Sequence, residues 1–150
     1  MSRFFIAEDH EICRLALEMT LSLVTDYELI GQAVSGQGLA ERILALEPDI
    51  AFIDISLPEA NAIQMVKRLK SESASIKIVV CAGYADEFRV RSVMEAGADA
   101  FLLKGAPFKS LKAAVESVQR GDRWIDPEVA RTLTKSNIDA LLAQRPLVSI

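Results

Sequence analysis

Five times along the chain, a short run of branched and aromatic apolar residues gives way to a stretch with helical spacing. The runs are RFFIA (3–7), YELIGQAV (27–34), DIAFID (49–54), IKIVVCA (76–82) and AFLL (100–103). Ile12, Leu15, Ala16 and Met19 share one face of the first helical stretch. Leu39, Ile43, Leu44 and Leu46 mark the second, and Ile63, Val66, Lys67 and Leu69 the third. Val90, Val93 and Met94 mark the fourth, and Leu111, Ala114, Val115 and Val118 the fifth. Gly36 and Gly38 open a helix, Pro48 closes it, Gly97 follows another and Gly121 ends the fifth. Parallel strands need crossover connections, so this alternation implies a parallel sheet covered by helices on both faces. The expected fold is α/β: an open, doubly wound sheet of five parallel strands. Functional groups in such a sheet gather at the carboxyl ends of the strands, near the point where the strand order reverses.

Composition supports this and excludes several alternatives. The chain has 150 residues, 51% of them apolar and 25% charged, which fits one globular domain and not a disordered segment. No apolar run approaches the ~20 residues of a membrane span. The opening MSRFFIAEDH lacks the apolar core of a signal peptide, so a cytoplasmic location with no membrane partner is expected. A net charge of −4 argues against a phosphate-binding surface for nucleic acid. Cys13 and Cys81, far apart in sequence, are read as reduced, packed thiols, and His10 as the only histidine excludes a multi-histidine metal site.

The chemistry concentrates at the strand ends. In AFIDISLPEA (51–60) an apolar strand runs into Asp54, although an ionised carboxylate is costly to bury without compensation. Glu8 and Asp9 follow the first strand, and Lys104 follows the fifth. The first and third strands are neighbours in a doubly wound sheet, so these groups should converge on one edge. Three clustered carboxylates raise one another's pKa unless a cation sits among them. Hard oxygen donors of this kind suit Mg²⁺, and Lys104 adds a point charge fit for a phosphoryl oxygen or a carboxylate. The set suggests metal-assisted phosphoryl transfer with a carboxylate nucleophile. A small-molecule phosphatase on a similar sheet would need further acid–base residues, and one histidine without a glycine-rich phosphate loop counts against it.

Arg3 to about Arg120 resembles the receiver domain of two-component response regulators. The resemblance is carried by Glu8–Asp9, by DIAFIDISLPEAN around Asp54 with Pro58 four residues on, and by GADAFLLKGAP around Lys104. It implies the flavodoxin-like, CheY-like form of the fold, with residues 1–121 as the receiver. It also implies that Asp54 accepts a phosphoryl group from a histidine kinase. Asp9, Asp54 and the Ser56 backbone carbonyl would hold Mg²⁺, with Glu8 acting through a water and Lys104 contacting the phosphoryl group or Asp54. Phe101 stands where the family has an aromatic switch residue.

Several positions depart from that pattern. Counting back from Lys104 puts Ala82 in the slot usually held by Thr or Ser, and a one-residue slip would put Cys81 there. Neither offers a hydroxyl, so coupling between Asp54, Phe101 and the segment after the fourth strand is expected to be weakened. A phosphorylation-independent pseudo-receiver is the alternative reading. Ala62 stands where glycine is common, which would restrict the loop after Asp54, and Gly105 where proline is common. Beyond Gly121, Trp124 falls in a turn and Pro127 starts a helix running to about Leu142. This segment, 122–150, resembles the linker of LuxR/NarL-type regulators, or else forms a sixth helix. No helix-turn-helix follows, so DNA is a partner only through a domain absent from this sequence. A homodimer is the other expected association.

Overall fold

The computed structural model describes residues 1–84 and 86–143. Strands β1 (Ser2–Ala7), β2 (Tyr27–Ala33), β3 (Ile50–Asp54), β4 (Lys77–Ala82), β5 (Ala100–Leu103) and β6 (Trp124–Ile125) form one sheet. Its order is β2-β1-β3-β4-β5-β6 and every pairing is parallel. Helices α1 (Glu11–Val24), α2 (Leu39–Leu46), α3 (Ala62–Glu72), α4 (Glu87–Ala96) and α5 (Phe108–Gln119) make the crossovers. The chain begins in the middle of the sheet, steps to β2, then returns past β1 to β3. The order therefore reverses between β1 and β3, and the carboxyl ends there border an open crevice.

Side chains of successive strand residues leave the sheet on opposite faces, and the two cores follow that alternation. Phe5, Ala51, Ile53, Ile78, Val80 and Phe101 join the core under α2, α3 and α4. Phe4, Ile6, Phe52, Val79, Cys81 and Leu102 join the core under α1 and α5. Both faces being covered, all five residues of β3 are buried, Asp54 included.

The apolar row expected to seat α1 faces outward. Ile12 is 83% exposed and Met19 71%, and Leu15 is exposed as well. Leu21 is buried instead, with Leu17 and Val24 partly buried beside it. Helix 1 carries two apolar rows at helical spacing, and periodicity alone does not choose between them.

The doubly wound parallel sheet is present, but it has six strands where five were expected. Trp124 and Ile125 pair with Ala100 and Phe101 along the edge of β5. Two residues are too few to leave a period in the sequence. The helix expected from Pro127 to about Leu142 is two helices, α6 (Pro127–Ala130) and α7 (Lys135–Ala143). The Asp126 side chain accepts the Glu128 amide and caps α6. Thr134 Oγ1 accepts the Asn137 amide at 3.1 Å and caps α7, a local bond that competes with helix continuation. The final RPLVSI (145–150) lies outside the described residues.

Residues 124–143 pack back on the domain. Ile125, Val129, Leu133 and Leu141 enter the core that contains α4. Arg123, 8% exposed, donates to the carbonyls of Ala98, Met94 and Leu141. One guanidinium thus ties the carboxyl end of α4, where carbonyls are left over, to α7.

Candidate functional site

Each site residue is fixed by backbone that the sheet has already organised. Glu8 and Asp9 lie just past β1, where the Glu8 amide donates to Ala33 of β2 at 2.9 Å. Asp54 is the last residue of β3, in register with Cys81 of β4. The next amide, Ile55, donates to the Cys81 carbonyl at 2.9 Å. Lys104 follows β5, with its amide on the Ala82 carbonyl at 2.8 Å. Gly105 then turns the chain at φ +76, a conformation a glycine takes without strain. The loop after Asp54 has its left-handed residue at Glu59, φ 57, and Ala62 is helical, so alanine at 62 does not restrict that loop. Gly36 does constrain it. A Cβ there would stand 2.4 Å from the Glu59 carbonyl oxygen, and the Gly36 amide donates to Pro58 at 2.7 Å.

The structure brings four of the expected groups together. Lys104 Nζ lies 2.6 Å from Glu8 Oε1 and 2.9 Å from Asp54 Oδ2. Asp54 Oδ1 accepts the Ser56 amide at 2.9 Å. Asp9 Oδ1 is buried and has no hydrogen-bond partner among the described residues. Glu8, Asp9, His10 and Asp54 each offer a donor atom within 4.8 Å of the others. One lysine therefore faces two carboxyl groups with a third beside them, and one buried oxygen accepts no hydrogen bond. Hard oxygen donors grouped in this way are of the kind that suits Mg²⁺.

The electrostatics divide the carboxyls. Burial, and then the hydrogen bond to Asp54, raise the Glu8 pKa above its ordinary value despite Lys104. Burial also works against ionised Asp54, but hydrogen bonds from Glu8, Lys104 and the Ser56 amide outweigh it and hold Asp54 below the usual range. Asp54 thus gives up its proton more readily than Glu8 does. Burial opposes the charge on Lys104, yet its two carboxyl partners raise its pKa well above normal. Burial and the nearby acids push the Cys81 thiol up to about 12, which makes it inert at neutral pH.

Ala82 and Phe101 lie apart from this cluster. Both are fully buried, on the opposite face of the sheet with Val90 and Val93 of α4. Cys81 faces the Asp54 side instead, in the wall of a cavity of about 210 Å³ that Ile6, Leu17, Phe52 and Leu111 also line. Two side chains beside the acids were read from the sequence only as a packed thiol and a lone histidine, with no role at the strand ends. His10 Nδ1 is 3.3 Å from Asp9 Oδ1, and Cys13 lies close enough to Glu8 to join it and His10 in a donor group. The spacing EDHEIC (8–13) carried that signal, because His10 and Cys13 are three apart at the start of a helix.

Residues 4–116 match the response regulator receiver domain family. The chain belongs to it. This receiver is 31% identical over 139 residues to the oxygen regulatory protein NreC of Staphylococcus carnosus, covering 91% of the chain and 64% of that protein. It is 25% identical over 127 residues to the response regulator VraR of Staphylococcus aureus, covering 85% of the chain and 61% of VraR. The receiver thus spans less than two thirds of both relatives. Among solved structures, a LuxR-family response regulator from Aurantimonas superposes with a TM-score of 0.82 at 20% identity, covering 92% of this chain and 99% of that one. The receiver of the putative regulator NarL from Mycobacterium tuberculosis gives 0.73 at 25% identity, covering 80% and 97%. The resemblance to receivers of LuxR- and NarL-type two-component regulators holds. No described helix is long and apolar enough to cross a membrane.

Proposed function

We propose that this receiver accepts one phosphoryl group on Asp54 from a histidine kinase and uses it to switch an output module. The observation that carries this reading is the Asp54 carboxylate itself. Lys104 holds one of its oxygens and the Ser56 amide the other, at a strand end beside Asp9 Oδ1, a buried oxygen that accepts no hydrogen bond. Asp54 attacks phosphorus as the donor's bond to phosphorus breaks, and the donor leaves with that electron pair. The fixed backbone of β3 supplies alignment, and Lys104 neutralises charge on the transferring oxygens. Asp9, Asp54 and the Ser56 carbonyl would hold Mg²⁺, with Glu8 beyond them. When bound, the ion supplies further neutralisation of the phosphoryl charge. Turnover is limited to self-hydrolysis of the acyl phosphate, so the domain signals and does not process a metabolite.

Residues 1–121 act as the receiver unit and 122–150 as the connection to output, in a cytoplasmic regulator. NreC and VraR are named as regulators, and DNA would be reached only through a separate domain. Phe101 and Ala82 lie on the α4 side of the sheet, where a switch would be read. The test is intact mass after incubation with Mg²⁺ and acetyl phosphate, beside Asp54→Asn. One added phosphoryl group, absent from the variant, is expected. No addition in the parent with several donors overturns the reading. It would favour the second one, a phosphorylation-independent binding module, to which the missing hydroxyl at Ala82 gives its only support.

A further inference from the structure

We propose that Glu8, His10 and Cys13 form a second cation site, selective for a soft divalent metal such as Zn²⁺, beside the acidic pocket. Their ligating atoms, a carboxylate oxygen, an imidazole nitrogen and a thiol sulfur, already lie within 4.8 Å of one another. A tetrahedral zinc with bonds of about 2.0–2.3 Å sets its donors roughly 3.3–3.8 Å apart, so closing the site takes a small side-chain adjustment. His10 can supply it. Its side chain is 67% exposed, and it makes no capping hydrogen bond although it stands at the N-cap of α1.

Glu8 is shared by its two oxygens. Oε1 is taken by Lys104 at 2.6 Å, while Oε2 faces His10, 3.8 Å from Nδ1. The His10 amide, 3.5 Å from Oε2, holds that oxygen on the same side. Cys13 is one turn into α1, only partly buried, and lines the cavity that Glu8 and Lys104 also border. The donor types set the preference. Sulfur and imidazole nitrogen favour zinc over magnesium, whereas the Asp9–Asp54 side offers oxygen alone. With three protein donors, a water completes the coordination. The Cys13 thiol gives its proton to solvent as the sulfur–metal bond forms. Cys81 cannot serve as the sulfur donor, being buried in the sheet and outside the group.

The test is an optical titration of the full chain with Co²⁺, a spectroscopic stand-in for Zn²⁺, in excess Mg²⁺ and a phosphine reductant. A near-ultraviolet thiolate-to-cobalt band is expected, saturating at one equivalent and bleached by Zn²⁺. Cys81→Ala should keep the band and Cys13→Ser should lose it. His10→Gln, at an exposed position, should weaken affinity on the order of tenfold or more. No band in the parent, a band that survives Cys13→Ser, or undiminished affinity in His10→Gln overturns the proposal. Cys13→Ser should keep the parent's far-ultraviolet circular dichroism and urea unfolding midpoint, which verifies its fold. The titration does not depend on phosphorylation, so failure of the phosphoacceptor reading would leave the optical result standing.

Discussion

Two lysine–carboxylate pairs sit at opposite ends of one sheet, and they differ in everything except chemistry. At the amino end of β4, Lys70 Nζ donates to Asp99 Oδ2 at 3.0 Å, to the Ala74 carbonyl at 3.1 Å and to the Ile76 carbonyl at 3.0 Å. Asp99 Oδ2 also accepts the Ile78 amide at 2.8 Å. All three ammonium donors are used, one charge meets one charge, and the pair closes the α3–β4 corner. At the carboxyl end, Lys104 meets Asp54 at 2.9 Å and Glu8 at 2.6 Å, with Asp9 beyond and one oxygen unsatisfied. A complete pair holds the fold, and an incomplete one is held by the fold, which is the pattern of perturbed groups gathered in a cleft.

Removing the complete pair should give the largest effect on stability. Lys70→Met leaves Asp99 and two carbonyls without their buried partner, and urea unfolding should show a loss of about 3–5 kcal/mol. Phosphorylation per folded molecule should be unchanged. A loss of labelling in this variant at temperatures where it remains folded would erase the distinction between the two ends.

Lys104→Met should act in reverse. Its unfolding midpoint should move less than that of Lys70→Met, because Glu8 and Asp54 can share a proton. The rate of phosphoryl transfer from acetyl phosphate should fall by about 10²–10³, as for removal of one preorganised charge donor.

Glu8→Gln gives a smaller effect whose sign is informative. The native Glu8 pKa is raised above its ordinary 4.5, so the native state holds that proton more tightly than the unfolded chain does. The resulting stability is fully present below about pH 4.5 and is lost as pH rises through the native value. At pH 7 without metal, Glu8→Gln should therefore be more stable than the parent, since Lys104 keeps Asp54. The advantage should shrink as the pH approaches 4.5. Urea titrations at the two pH values, with no difference in the gain between them, would show that burial does not burden Glu8.

The smallest effect should come from Ala82→Thr. It introduces a hydroxyl on the face shared with Phe101 and α4, and amide shift changes on phosphorylation should spread further into α4 than in the parent. Changes of equal extent would mean that the missing hydroxyl does not limit coupling.

Strand residues such as Phe52, Ile53 and Asp54 were legible because a central parallel strand is apolar throughout, which makes one carboxylate at its end conspicuous. Lys104 was legible for the same reason, directly after AFLL. The inward face of α1 was not, because Ile12, Leu15 and Met19 repeat as regularly as the row through Leu17 and Leu21, and only the position of α5 chooses between them. Strand β6 was hidden by its length of two residues, and the break before α7 by a threonine cap that looks like ordinary helix sequence. The Lys70–Asp99 pair was invisible because its partners are 29 residues apart and neither lies in a motif.

Arg123 makes the tail a lever. Its guanidinium grips the last carbonyls of α4 and the Leu141 carbonyl near the end of α7, so the two helices share one pivot. Helix α7 has nine residues and is about 13 Å long, and a tilt of about 10° carries its far end about 2 Å. A displacement of α4 too slight to disturb its own packing would be magnified there, at the Lys135 end of α7, where the turn from α6 leads into it.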